Sequence, residues 1–229
     1  MLISLFPSQS SKINELFTFS KDEYVSLITT SKTALQESRI RRSKLSLLLF
    51  DCKDQNAIQF MNEMDWNSLS DEYQNIYMRF KGQTDFDFVL NQYQTNQNVQ
   101  IKSAALIGIG STLNDDKIKY VFDNCLSGLV KAQEVPTLLN ALKNNEKARP
   151  KIVDFVISQF NKILELYGDG FQFQTIIQVA YDSVTTEEEF NKLNLFFSKI
   201  ENSTDSLSTV KRAGEMTRAK LDLVNKGFI

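Results

Sequence analysis

Apolar residues return at intervals of three and four along almost the whole chain, the period of a helix face rather than the alternation of a strand. Ser20-Lys21-Asp22-Glu23 forms a capping box, which predicts a helix over 21–36. A second apolar stripe follows over 37–51, through Ile40, Leu45, Leu48 and Leu49. Asp54 opens a helix carrying Ala57, Ile58, Met61 and Met64. Ser70-Asp71-Glu72 opens another through Ile76, Tyr77 and Phe80, with Gly82 as its expected stop. A short helix over 84–93 carries Phe88 and Val89. Residues 98–113 and 114–129 read as a helix pair, the second capped by Asn114 with Asp115 and Asp116 in its first turn. Pro136 and Pro150 each suit the first turn of a helix, one running to Asn145 and one from Lys151 to Tyr167, which Gly168 ends. The last three helices are expected over 171–183, from the Thr185-Thr186-Glu187-Glu188-Glu189 cap through Phe197, and from Ser206 to Lys226.

No sequence repeat of fixed period stands out, yet helix pairs recur about every 30 residues. Each pair carries an apolar stripe that only its neighbours can cover. That cadence predicts an all-α fold, an α-solenoid of stacked antiparallel helix pairs of the HEAT or armadillo kind. One solenoid domain over 20–229 is expected, with residues 1–19 an N-terminal arm or first helix.

Composition narrows the chemistry. The 229 residues contain no histidine, which removes imidazole bases, His-ligated zinc and His proton shuttles from these residues. Two cysteines, Cys52 and Cys125, are too few for a disulfide framework or a four-thiolate zinc site, and a reducing, cytoplasmic setting is expected. Apolar runs stop at about four residues, against the roughly 20 a membrane span requires. No membrane association, cofactor or metal is expected.

The remaining motifs read as structure. Gly108-Ile109-Gly110 lacks the third glycine of a dinucleotide fingerprint, because Leu113 occupies that position. Small residues packing between helices explain it better. Glu187-Glu188-Glu189 suits a helix N-terminus. Trp66, Tyr73, Tyr77 and Phe80 read as core.

Charge is informative only locally, since the net formal charge is -2. Residues 31–53 hold six cations against two carboxylates, net +4, among them Arg39, Arg41, Arg42 and Lys44. Residues 143–151 hold four against one, with Lys147, Arg149 and Lys151 beside Lys143. Residues 211–220 repeat that ratio through Lys211, Arg212, Arg218 and Lys220. If two or more of these clusters share one side of the solenoid, they can contact phosphates or an acidic protein surface. Arginines are the stronger anchors, because a guanidinium binds phosphate through two parallel hydrogen bonds.

Several stretches, taken in order, resemble the C-terminal helical domain of the gluzincin aminopeptidases, most closely the puromycin-sensitive type. They are Arg39-Ile40-Arg41-Arg42 leading to Leu47-Leu48, and Ala57-Ile58-Gln59-Phe60 with Met64. Leu69 through Tyr77, Ile101 through Gly108 with Leu113-Asn114-Asp115, and Asn144-Asn145 through Val156 follow. Leu166-Tyr167-Gly168-Asp169-Gly170-Phe171 is similar to the family's Tyr-Gly-x-Gly-Phe, and Thr186 through Phe197 completes the series. The resemblance covers about residues 30–225 and implies a helical bowl that, in full enzymes, caps the active site. The family's zinc-binding motif needs histidine and is not present here, so no catalytic residue carries over.

Two functions are therefore expected. The first is a non-catalytic protein that docks on a large macromolecular partner, the ribosome with its rRNA and proteins, as a hibernation factor that occupies a functional site. A free-standing domain of this kind resembles the dormancy factors of idle ribosomes. The alternative is a peptide-binding or regulatory domain of a zinc aminopeptidase.

Overall fold

Where the apolar stripe meets a polar cap, helices begin as the local chemistry dictates. Asp54 accepts a hydrogen bond from the Ala57 backbone N–H at 2.8 Å and starts α1, Gln55–Glu63. In the computed structural model, residues 42–51, 53–69, 71–200 and 204–225 are described. The expected arm, the 21–36 helix, Arg39, Arg41 and Cys52 lie outside them. Among the described residues there are helices and turns and no strand. The expected all-α, solenoid-like fold is observed. The chain forms two compact units, one up to Gly108 and one from Ile109.

In the first unit, residues 42–46 are helical and continue into a π turn, Leu47–Asp51, which turns Leu48 and Leu49 inward. After α1 come α2, Asp71–Thr84, α3, Phe86–Thr95, and α4, Val99–Ile109. Asp85 caps α3 by accepting from the Phe88 N–H at 3.1 Å. Leu45, Leu48, Phe60, Met61, Tyr73, Tyr77 and Phe80 form one core cluster, with Trp66 and Phe88 packed edge to face at 6.0 Å on its flank. Of the four aromatics expected in the core, Tyr73, Tyr77 and Phe80 are buried there, and Trp66 is half-buried against it.

Gly82 does not stop α2, which runs on to Thr84. The reason is packing. A Cβ at Gly82 would sit 2.0 Å from the Gly108 carbonyl oxygen, and one at Gly108 would sit 2.4 Å from the Met78 oxygen. These glycines let the α2 and α4 backbones touch. Gly110, in the second unit, likewise faces Ala141, whose Cβ a new Cβ would meet at 2.6 Å. The Gly-x-Gly is a packing device, as expected.

The second unit contains α5, Asp115–Asn124, α6, Val135–Lys143, α7, Ile152–Ser158, α8, Phe160–Tyr167, α9, Phe171–Ser183, α10, Glu187–Ser198, and α11, Thr204–Asn225. Two expected helices differ. The 114–129 helix ends at Asn124 and gives way to a π turn, Cys125–Leu129, because Gly128 takes φ 101°. The 151–167 helix is two helices that meet at Gln159 (φ -102°, ψ 9°). Ser158 donates its hydroxyl to the Phe155 carbonyl at 3.0 Å, in competition with the helical ladder. The bend brings Phe160 within 5.8 Å of both Phe173 and Phe197, and within 5.3 Å of Phe196. Thr186 and Glu189 close the capping box of α10 from both sides. Gly168, at φ 59°, ends α8.

Helix α9 packs against α6, α7, α8 and α11, and α10 packs against α7 and α11. Residues on every side of α9 are accordingly buried, from Phe173 to Ser183. Hydrogen bonds between successive layers join residues 33 to 36 positions apart: Asn145 to Gly110 and Thr112, Arg149 to Ser183, Lys162 to Ser127, Tyr167 to Ala132, Thr217 to Tyr181. A helical repeat that is faint in residue identity is thus explicit in the bonds between layers.

Candidate functional site

The basic residues of the second unit are placed by one loop, 144–151, and one helix, α11. Asn145 anchors the loop. Its buried amide donates to the Gly110 and Thr112 carbonyls at 3.0 and 2.6 Å and accepts from the Lys147 and Ala148 N–H groups at 3.0 and 3.3 Å. All four positions of the side-chain amide nearest its neighbours are used. Pro150 then holds the turn Arg149–Lys151 that leads into α7.

That geometry sends Arg149 to the C-terminus of α9. Its Nε and Nη2 donate to the Ser183 and Asp182 carbonyls at 3.1 and 3.0 Å. Lys143 Nζ pairs with the Asp182 carboxylate at 3.2 Å, and Lys220 Nζ donates to the Val184 carbonyl at 3.4 Å. Helix C-termini carry unpaired carbonyls and partial negative charge, so cations are favoured there. Burial lowers the pKa of Lys220, Arg149 and Lys143 lower it further, and Asp182 opposes them. Two sequence clusters therefore converge, Lys143 and Arg149 from one and Lys220 from the other. Much of their hydrogen-bonding capacity goes into closing a helix end.

The other expected site residues are scattered. Lys147 is exposed and pairs with Asp115 at 3.6 Å. Lys151 is exposed at the N-terminal end of α7. Lys211 and Arg212 are exposed on α11. Lys211 precedes Lys220 by nine residues, about half a turn out of phase at 3.6 residues per turn, so it faces away from the Arg149 cluster. Arg42 and Lys44 are half-buried in the first unit. Arg218, on the same helix as Lys211, is bound to Glu187 through both carboxylate oxygens at 2.7 and 2.8 Å and lies 4.2 Å over the Phe190 ring.

Sequence reasoning missed a trough of about 670 Å³ between α5 and α7. Its apolar floor is Phe122, Leu126 and Phe155. The signal was the pair Phe122 and Phe155 on α5 and α7, which reads as core until the stacking of the helices is known.

Cys125 is a free, buried thiol whose pKa burial pushes up to about 12. Among the described residues no group of acidic or cysteine side chains is arranged to hold a metal ion. Nor is any helix among them long and apolar enough to cross a membrane.

These features define an all-α helical-repeat domain. Its family is also clear. The family model for the ERAP1-like C-terminal domain matches residues 46–219, and the chain belongs to that family. It is 27% identical to aminopeptidase N of Mus musculus over 176 residues, 75% of this chain and 16% of that protein. It is 26% identical to aminopeptidase N of Bos taurus over 215 residues, 90% of this chain and 21% of that protein. It is 21% identical to endoplasmic reticulum aminopeptidase 1 of Homo sapiens over 145 residues, 62% of this chain and 15% of that protein. The chain thus spans between 15% and 21% of the length of these relatives. The resemblance to the C-terminal helical domain of these aminopeptidases is borne out.

Proposed function

We propose that this chain acts by binding, performs no reaction of its own, and docks on a large phosphate-bearing partner, the cytoplasmic ribosome, where it blocks a functional site. One observation carries this reading. Lys151, Lys211 and Arg212 are exposed, and among the described residues none of them enters an ion pair. Arg149 and Lys147, which the sequence alone ranks with them, are held by neighbouring groups. The three exposed cations are the better phosphate contacts.

Cosedimentation with purified ribosomes tests the proposal. Three neutralised phosphates predict a salt slope near -2.7, so affinity should fall about 40-fold between about 50 and 200 mM salt. Charge reversal, Lys211→Glu with Arg212→Glu, should weaken binding without altering stability. Failure to sediment with ribosomes at low salt refutes this reading.

A second reading has its own support in the family match. The chain would then be the peptide-binding or regulatory part of a zinc aminopeptidase. Peptide binding without ribosome association, and stimulation or inhibition of a cognate catalytic domain, would favour it.

A further inference from the structure

The end of α9 gathers more positive charge than closing a helix requires. Lys143 at the end of α6, Arg149 from the 144–151 loop and Lys220 on α11 meet there around one carboxylate, Asp182. Both oxygens of that carboxylate are engaged. Oδ2 accepts from Lys143 Nζ at 3.2 Å, and Oδ1 accepts from the Gln178 side-chain amide at 2.8 Å. Three cations against one carboxylate leave two positive charges unmatched. The C-terminal partial charge of α9 offsets about half a unit, so about one and a half remain.

The same side chains hold donors in reserve. Arg149 donates to the Asp182 and Ser183 carbonyls through two of the five N–H groups of a guanidinium. Among the described residues, Lys143 and Lys220 each make one of the three bonds that an ammonium can donate. The Lys220 bond, to the Val184 carbonyl at 3.4 Å, is long. All three cations are half-buried, so water compensates them less than it does the exposed Lys151, Lys211 and Arg212. Burial lowers the pKa of Lys220 first, and Arg149 and Lys143 lower it further against Asp182. The cluster is nonetheless open to small solutes, since the side chains of Lys143 and Asp182 are 20% and 39% exposed.

We infer that Lys143, Arg149 and Lys220 form a binding site for a doubly charged phosphate group, either orthophosphate or the terminal monoester of a larger molecule. A dianion cancels the local excess, whereas a monoanion leaves part of it. The spare guanidinium N–H groups and the two ammoniums match the terminal oxygens of a monoester. A phosphodiester carries one charge on two free oxygens and matches less well. The site shares no residue with the exposed Lys151, Lys211 and Arg212 and stands whether or not the ribosome is the partner.

The test is isothermal titration calorimetry on the full chain at constant ionic strength, above about pH 7, where the second phosphate proton is largely lost. Saturable binding with a dissociation constant below about 1 mM is expected for orthophosphate or for a nucleoside 5′-monophosphate. Tighter binding of the monophosphate assigns the site to the phosphate end of a larger molecule. Equal or tighter binding of orthophosphate assigns it to the free ion. Dimethyl phosphate, a monoanion, should bind at least about tenfold more weakly than the better of the two. Lys143→Gln and Lys220→Gln should each cost at least about tenfold in affinity, whereas Lys211→Gln should cost nothing. Amide shift changes in the wild type should centre on Lys143, Arg149, Lys220 and the end of α9, which keeps the test independent of how the variants fold. No saturation by about 10 mM of either phosphate would overturn the inference. So would equal binding of dimethyl phosphate, unchanged affinity in both the Lys143 and Lys220 variants, or shift changes centred on Lys211 and Arg212.

Discussion

Asn145 is the residue on which the stacking of two layers should depend most sharply. Truncation to alanine removes four hydrogen bonds at once, two to the Gly110 and Thr112 carbonyls and two within its own loop. The residue is 5% exposed, and Thr112 and Ala148 beside it are more deeply buried still. At about 1 kcal/mol net per bond, Asn145→Ala should cost about 4 kcal/mol, with water recovering part of it at the loop side. Against a total of about 5–15 kcal/mol that is a large fraction, and the melting midpoint should fall by about 10 °C. The neighbouring Asn144 supplies the control. Its exposed amide donates only to the Asn140 carbonyl at 3.1 Å, so Asn144→Ala should cost below about 1 kcal/mol. Urea denaturation with an unchanged slope is the assay, because a changed slope would signal that the two units unfold separately. Equal small costs at both asparagines would refute the claim that this amide locks the layers together.

Phe160→Ala should cost about 3–5 kcal/mol, since Phe160 is buried against three other rings, whereas Phe171→Ala, at a side chain 78% exposed, should cost less than about 0.5 kcal/mol; chemical denaturation separates them. Gly82→Ala should destabilise although alanine is the better helix former by about 1 kcal/mol, because the new Cβ meets backbone at 2.0 Å; a stabilised variant would contradict the close α2–α4 contact. In a Cys52→Ala background, Cys125 should resist thiol reagents at neutral pH until the protein unfolds. Its folded pKa lies above the unfolded 9.0, so its contribution is complete below pH 9 and is lost as pH rises toward 12; Cys125→Ala should flatten that alkaline decline.

Local chemistry was legible wherever one or two side chains decide an outcome. The caps at Asp54, Asn114 and Thr186 were readable because each satisfies N–H groups within three residues of itself. The stop at Gly168 was readable because φ 59° suits glycine. The failures lie where a distant neighbour intervenes. Gly82 looks like a terminator until Gly108 is known to press against it. The 151–167 stripe looks continuous because a bend at Gln159 leaves the apolar period intact on both sides. At the candidate site, the clustering of cations was visible but their use was not. Arg149 reads as a phosphate anchor until the end of α9, more than 30 positions away, arrives beneath it.

By itself, then, the sequence determined that the chain is helical, that it carries no histidine chemistry, and where most helices begin, since helix period and capping act over a few residues. Only the tertiary structure decided which cations close helix ends and which face outward, and that Phe122 and Phe155 floor a trough. Those outcomes depend on groups about 35 residues apart meeting across a layer, and nothing in the spacing along the chain encodes which of them will.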